Sequence, residues 1–529
     1  MTWLIAICIA LSIAGSLLLV PVVRMLARSV GIVDHPDSER KLHASPVALG
    51  GGLAVFLALT ATYIATILID RQYFGGILGS VSSNWYVLFT AAGAMLLVGL
   101  IDDAWTLRGR QKLLLQCLIV VGLVGSGTVV RQVSLLGFDL ELGVFAFPLT
   151  VLWLLMAVNA LNLIDGADGM ATTAGCIICL GLGFLSLQSA SSLNAVVGFA
   201  LAGSLAGFLV FNRPPASIYL GDAGSMMIGL FVGVLAVWSN FKESTVLASA
   251  PIAILAIPLF DSTAAILRRW LTGRSIYVTD RAHLHHLLQE KYGSTRMLVF
   301  VAAMCATTTT MAVFSARWNQ PWLAAVGVLI VLAVLILTRS FGHAEARLLV
   351  GRAVHFAQSF GTNTANCDFE KHQRRVPLQG VGAWETIWEP LVEFAKSHDL
   401  ARVKIDLNLA WLHEGYHANW QSVRLPEKVS QLSVSVPLFT RRHTDGSQVQ
   451  IGRLEIIASA DDPSVYERIA DLSDQLMDLG PQIDQIVANL EIAKEALSQP
   501  GRVPRQTDDV SNQGAAVKGG IESVTVSDA

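Results

Sequence analysis

Along the first 340 residues, apolar runs alternate with short polar stretches. Runs of roughly 17–25 apolar residues are long enough to cross a bilayer as helices. About eleven are read, near 2–28, 48–69, 84–101, 113–130, 146–163, 171–188, 193–211, 225–240, 247–268, 297–315 and 322–339. The first, "MTWLIAICIALSIAGSLLLVPVV", has no basic start and no small-residue cleavage site, so it reads as a retained span and not a signal peptide. Between the fourth and fifth runs, "VSLLGFDLELGVFAF" predicts a short hairpin.

After residue 340 the period changes. "WETIWEPLVEFAKSHDL" has helical spacing, while "ARVKIDLNLAWL", "KVSQLSVSVPLF" and "QVQIGRLEIIAS" alternate as strands do. "PSVYERIADLSDQLMDLGPQIDQIVANLEIAKEAL" predicts one or two amphipathic helices, with Ile469, Leu472, Leu476 and Leu479 on one stripe. The expected fold is an all-α polytopic membrane protein with about eleven transmembrane helices, plus a small cytoplasmic α+β C-terminal domain. The expected division is 1–340 for the integral-membrane domain, 341–380 for a basic, partly helical connector and 381–498 for the α+β domain, which resembles a GAF-type sensor fold. The tail, 499–529, has no apolar face and reads as disordered.

Charge orients the spans. One set of alternating loops holds Arg40, Lys41, Arg108, Arg110, Lys112, Arg213, Arg268, Arg269, Arg274, Arg281 and Lys291; the other holds Arg71, Arg131, Lys242 and Arg317. The positive-inside rule puts the richer set in the cytoplasm. An odd number of spans then leaves the N-terminus outside and the C-terminal domain inside. Composition agrees with a membrane protein: 53% of the residues are hydrophobic and 15% charged, against roughly 25% charged in soluble domains. A net charge of −3 gives no field suited to nucleic acid. Five of the six cysteines fall in apolar runs, and the Cys176–Cys179 pair has no polar company, so packing is expected and neither a metal site nor a disulfide.

The chemistry gathers on the basic side. "GLIDDAWTLRGRQKLLLQ" ends the third run with adjacent Asp102 and Asp103, either a hydrated helix end or a pair balanced by a cation, Lys112 or Arg108. In "NALNLIDGADGMA", Asn159, Asn162 and Asp165 share a helix face, and Gly166 and Gly169 permit a turn around Asp168. Such a density of oxygen donors suits a hard cation or a polar ligand; the bidentate Glu of a calcium loop is missing. "IYLGDAGSMMIGL" sets Asp222 between glycines before a span, with Ser225 as a candidate cap and a helix N-terminus suited to phosphate. "TDRAHLHHLL" contributes Asp280, Arg281, His283, His285 and His286, a set that fits a pyrophosphate better than zinc.

These four stretches, preceded by "DHPDSERKLHASPVALGG", stand in an order that resembles the polyprenyl-phosphate N-acetylhexosamine-1-phosphate transferases, over about residues 1–340. The similarity is to the branch that begins O-antigen, common-antigen or teichoic acid assembly, a step of cell wall or lipopolysaccharide biosynthesis. It implies transfer of a sugar phosphate, GlcNAc-1-phosphate favoured, from a UDP-N-acetylhexosamine to undecaprenyl phosphate in the cytoplasmic (inner) membrane, with release of UMP. It further implies Mg²⁺, with Mn²⁺ as a substitute, on Asp222 and Asn162. Asp165, Asp168, Arg281, His283, His285 and His286 are implied at the nucleotide sugar, Lys41 and Lys112 at the lipid phosphate, and Asp102 and Asp103 at the catalytic position. The resemblance leaves open whether the lipid phosphate attacks directly or through a covalent intermediate. It allows a homodimer. Asp261, in "PLFDSTAAILRR", is a candidate supporting residue paired with Arg268 or Arg269.

Two other classes fit the composition. A transporter would place ionisable groups near the midplane, often in repeats; here they lie at span ends on one side. A membrane-tethered sensor would account for the C-terminal domain and leave the membrane motifs unexplained.

Overall fold

A computed structural model describes residues 1–34, 46–136, 138–239, 246–272, 283–338, 340–342, 372–379, 383–412, 414–422, 430–441, 447–461 and 464–498. The apolar runs form helices α1 (Thr2–Val30), α2 (Gly51–Tyr73), α3 (Ser83–Trp105), α4 (Gly109–Gly125), α5 (Ala146–Ile164), α6 (Met170–Gln188), α7 (Ser192–Asn212), α8 (Gly221–Trp238), α9 (Ser249–Ile254), α10 (Ala256–Thr272), α12 (Ser294–Arg317) and α13 (Pro321–Leu337). A short α11 (Leu284–Tyr292) precedes α12. Helices suit this setting because each satisfies its own backbone polar groups in hydrocarbon. Among the described residues, eight are long and apolar enough to cross a membrane: α1, α2, α3, α5 with its preceding turn, α6, α7, α8 and α12. The chain is thus a multi-pass membrane protein.

The other three predicted spans differ for local reasons. α4 stops at Gly125, ahead of the Ser126–Gly127 turn, and α13 has 17 residues. The run near 247–268 is two helices, α9 and α10, parted at Leu255. Pro258 has no N–H for the carbonyl of Ile254, so the ladder breaks there.

α8 is the most enclosed of the eight, with 83% of its apolar stretch buried against 28% for α1. It packs on α2, α3 and α5. The approach is close because small residues face each other. A methyl group on Gly52 of α2 would overlap the backbone of Gly224, and one on Gly99 of α3 would overlap the backbone of Ala223. Small residues at such crossings let helix backbones approach within a bilayer. The loop before α8 is also sewn to the start of α2. Tyr219 N–H donates to the Ala48 carbonyl (2.9 Å), and Gly51 and Gly52 N–H donate to the Tyr219 and Leu220 carbonyls (both 3.0 Å).

Strands β1 (Val33–Asp34) and β2 (Val47–Ala48) pair beside this seam. At the opposite end of the bundle, β3 (Gln132–Leu135) and β4 (Phe138–Glu141) form the expected antiparallel hairpin. The hairpin gains a third, parallel strand, β5 (Val246–Ala248).

The C-terminal part comprises β6 (His372–Gln379), α14 (Glu385–Ser397), β7 (Arg402–Leu409), β8 (Glu414–Gln421), β9 (Gln431–Arg441), β10 (Gln448–Ser459) and α15 (Val465–Ser498). Its sheet has the order β6-β8-β7-β10-β9, with all neighbours antiparallel. Alternation places Val403, Ile405 and Leu407 in a core with Trp388 of α14 and Leu472 of α15, a cluster separate from that of the spans. The apolar stripe of α15 therefore packs on its own domain. β6 lies in the stretch read as connector. It tolerates Pro377 because it is the edge strand.

Candidate active site

The helix ends on one side of the bundle bring the polar motifs together. α3 ends with Asp102 and Asp103, α4 begins with Lys112, α5 ends at Asn162 and Asp165, and α8 begins with Asp222. Alternating helix direction makes all four face the same membrane boundary.

Lys112 is the centre. Its Nζ donates to Asp222 Oδ2 (2.6 Å), Asp102 Oδ2 (2.9 Å) and Asn162 Oδ1 (3.2 Å). Three oxygens from three other helices thus meet one positive charge. Asn162 Nδ2 in turn donates to Asp222 Oδ1 (2.5 Å) and to Ser225 Oγ (2.9 Å). Asp102 accepts the Leu107 N–H on its other oxygen (2.6 Å), fixing the turn between α3 and α4. Asp102, of the pair at the end of α3, is thus balanced by Lys112.

Asp103 does something the sequence hid. Its Oδ1 accepts the Asp222 N–H (2.9 Å) and its Oδ2 the Ala223 N–H (3.4 Å). It caps α8 from a neighbouring helix, filling with a carboxylate the N-terminus expected to face phosphate. Ser225, the expected cap, sits a turn inside α8 and donates back to the Gly221 carbonyl (3.1 Å).

Beyond α5, residues 165–169 form the expected turn, and Gly169 takes φ +73° to start α6. Asp168 Oδ2 accepts the Ala216 N–H (2.9 Å), tying this turn to the loop before α8. Asp165 is half-buried among carboxylates. Burial, then the charges of Asp222, Asp103 and Asp168, push its carboxyl well above the usual range.

The histidines lie on α11, against this turn. His283 and His285 are buried, and His286 is half-buried. The His283 and His285 rings stack at 5.9 Å, and those of His285 and His286 lie 4.1 Å apart. The His285 ring abuts Gly166 so closely that a methyl group there would overlap it, and its buried Nδ1 has no hydrogen-bond partner among the described residues. Asp261, expected beside Arg268 or Arg269, meets His283 Nδ1 (3.2 Å) and accepts the Leu284 N–H (2.8 Å). Lys41 and Arg281 lie outside the described residues, as does Asp280.

Burial, then the neighbouring His286 and His283, hold the His285 imidazole well below its ordinary range, so it is neutral at pH 7. The unfolded chain binds this proton more readily than the folded one. The resulting stability is full above the unfolded value of about 6.5 and is lost as pH falls toward the folded one. Lowering pH from 7 to 5 should therefore reduce amide protection factors, taken relative to intrinsic exchange at each pH, across 284–288 more than in α12. Equal protection at both pH values would contradict a buried neutral ring.

Sequence reasoning named Asn159 but missed the polar groups that support the site, Gln116, Thr172 and Asn212. Asn159 donates to Gln116 Oε1 (3.0 Å), and Gln116 reaches Met226 Sδ of α8 (2.9 Å). Asn212 accepts from Thr172 (2.7 Å) and donates to the Ile218 carbonyl (3.0 Å), bracing the loop that leads to Asp222. The available signal was a buried Gln116 one turn beyond Lys112 in an apolar helix.

Among the described residues, no three His, Cys, Asp or Glu side chains are grouped to hold a metal by themselves. The donors around Lys112 are nevertheless two carboxylates and an amide oxygen already gathered on a cation. Mg²⁺ is characteristically held by one or two carboxylates together with substrate phosphates, so this all-oxygen set fits a hard divalent ion.

Comparison with known proteins places the chain in a family. A family model described as glycosyl transferase family 4 matches residues 85–240. The chain is 31% identical over 323 residues to the probable undecaprenyl-phosphate N-acetylglucosaminyl 1-phosphate transferase of Bacillus subtilis, covering 60% of this chain and 87% of that protein. It is 32% identical over 307 residues to the decaprenyl-phosphate N-acetylglucosaminephosphotransferase of Mycobacterium tuberculosis, covering 53% and 74%. It is 26% identical over 306 residues to the undecaprenyl-phosphate alpha-N-acetylglucosaminyl 1-phosphate transferase of Escherichia coli K12, covering 55% and 79%.

Proposed function

The chain belongs to glycosyl transferase family 4, and on that premise we propose that it transfers an N-acetylhexosamine-1-phosphate, GlcNAc-1-phosphate first, from a UDP-sugar to undecaprenyl phosphate. This is the first membrane step of a cell-envelope polysaccharide. The observation that carries the reading is the meeting of Asp102, Asn162 and Asp222 on one cationic centre at a membrane boundary, beside the buried Nδ1 of His285, which has no partner among the described residues.

A lipid phosphate oxygen attacks the sugar-linked phosphorus. The new P–O bond forms as the bond to the bridging oxygen breaks, and UMP leaves with the electron pair. The acceptor monoester is largely anionic at pH 7, since its second pKa is about 6, so it needs no strong base. Asp102 and Asp103 already accept hydrogen bonds on both oxygens. Direct attack uses neither as a nucleophile and is the simpler route. Their part is to hold Lys112 and the start of α8 in place. A divalent cation, Mg²⁺ first, would be held by Asp222 and Asn162 and would supply neutralisation of the diphosphate charge. Lys112 and Lys41 meet the lipid phosphate, Asp168 and Asp165 the nucleoside side, and Arg281, His283, His285 and His286 the diphosphate. Catalysis then rests on positioning and charge. The test is purified protein with undecaprenyl phosphate, a divalent cation and a panel of UDP-N-acetylhexosamines. UMP and sugar-diphospholipid in equal amounts are expected, and no product from any donor would end the reading.

Loop charge supports a cytoplasmic site, an N-terminus outside and the C-terminal domain inside. A cysteine engineered at position 286 should react with an impermeant maleimide only after cells are opened. Labelling in intact cells would invert the topology.

The C-terminal domain has its own core and none of the site's carboxylates. Its role is regulation or localisation. A truncation ending near residue 345 should insert and still transfer sugar phosphate in detergent. A stable, inserted truncation without activity would show that the domain completes the site.

A further inference from the structure

Asp261 lies in α10, with its side chain fully buried. A buried carboxylate is costly unless its oxygens are used, and α11 uses both. Oδ1 accepts the Leu284 N–H at 2.8 Å, and Oδ2 faces His283 Nδ1 at 3.2 Å. His283 is the N-cap residue of α11, yet its side chain makes no cap bond. Asp261 supplies that cap from another helix, so α10 decides where α11 begins.

The far end of α11 is fixed independently. Lys291 Nζ donates to the Thr338 carbonyl (2.5 Å) and to Ser340 Oγ (3.2 Å), and Tyr292 Oη meets Ser340 Oγ at 3.1 Å. The helix is thus held at both ends, and the tie beside the imidazoles is Asp261. From it the contacts run in a line: Asp261 to His283, the His283 ring stacked on His285, and the His285 ring against Gly166 in the turn that carries Asp165 and Asp168. There is no slack at Gly166.

We infer that Asp261 is a positioning residue: by capping α11 and seating His283, it presses the His285 ring against the Asp165–Asp168 turn and so sets affinity for the nucleotide diphosphate. The inference rests on the proposed placement of the nucleotide sugar beside these histidines. Asp261 touches no substrate itself. It therefore governs binding of the nucleotide sugar and leaves binding of the lipid acceptor alone.

The full chain in nanodiscs tests this with Asp261→Ala, Asp261→Asn and Gly166→Ala. Misplacing a binding group by about 1 Å costs up to ~100-fold. Asp261→Ala should raise KM for the UDP-sugar at least about tenfold while KM for undecaprenyl phosphate stays unchanged. Asp261→Asn keeps an oxygen for the Leu284 N–H and should fall between wild type and Asp261→Ala. Gly166→Ala displaces the ring from the other side and should raise the same KM. UDP should slow hydrogen exchange at 284–288 in the wild type and fail to do so in Asp261→Ala, with α12 exchange alike in both. An unchanged UDP-sugar KM in Asp261→Ala, or equal rises in both KM values, would overturn the inference. A wild-type chain that turns over no UDP-sugar would sink the transferase reading alone, because protection by UDP still reports on Asp261.

Discussion

Asp222→Asn should give an inserted, folded protein that forms product roughly 10²–10³-fold more slowly, the range seen when one charge-stabilising group is removed from an active site. The amide keeps the shape of the carboxylate. It loses the charge that Lys112 meets at 2.6 Å and that a divalent cation would meet with bound substrate. Asp102 still pairs with Lys112, so the change should disturb chemistry more than fold. Chelation gives the matching result: EDTA should stop turnover, and Mg²⁺ or Mn²⁺ should restore it. Both experiments read initial rates of UMP release, with membrane content and melting temperature as controls. Full activity in the chelated enzyme, or in the variant, would remove the metal from the proposed mechanism.

The second large effect is expected far from any charge. Gly52→Val should cost about 3 kcal/mol of stability, the upper end for overpacking, and most of the activity. The added side chain meets the backbone of Ala223 and Gly224, which cannot rotate away. α2 and α8 must part. Asp222, two residues before Gly224, then leaves Asn162, Lys112 and its cap on Asp103. Gly15→Ala is the control, since a methyl there meets Ala58 Cβ at 3.6 Å, an ordinary contact. Thermal unfolding in detergent and transfer rate should fall together in Gly52→Val and hold in Gly15→Ala. A Gly52→Val protein with wild-type melting and rate would show that α8 does not depend on this crossing.

These two variants mark different kinds of legibility. Asp222 was visible because a carboxylate between glycines at the mouth of an apolar run is rare and costly. Gly52 was visible only as the letter after "DHPDSERKLHASPVALGG", inside the second apolar run; that it faces Gly224 on a helix some 170 positions later is a fact of packing. The break of the ninth run at Leu255 lies between these cases: Pro258 announced it, yet apolar length alone joined α9 to α10. The strand "EGYHANWQ" has few apolar residues, and its sheet neighbours, β6 and β7, supply what composition did not.

The sequence by itself determined the membrane class, most of the helices, the hairpin, the main strands of the C-terminal sheet, and that the polar motifs gather at one end of the spans. Those features follow from runs, periods and loop charges, which are local or additive along the chain. Only the tertiary structure decided partnership. It paired Lys112 with Asp102, Asn162 and Asp222, turned Asp103 into the cap of α8, set Asp168 on the Ala216 N–H, and hung α11 from Asp261. The physical reason is range. A carboxylate's need for a donor is written in its type, but the donor that meets it lies on another helix, and only the packing of small residues at the α2, α3 and α8 crossings brings the two within hydrogen-bond distance.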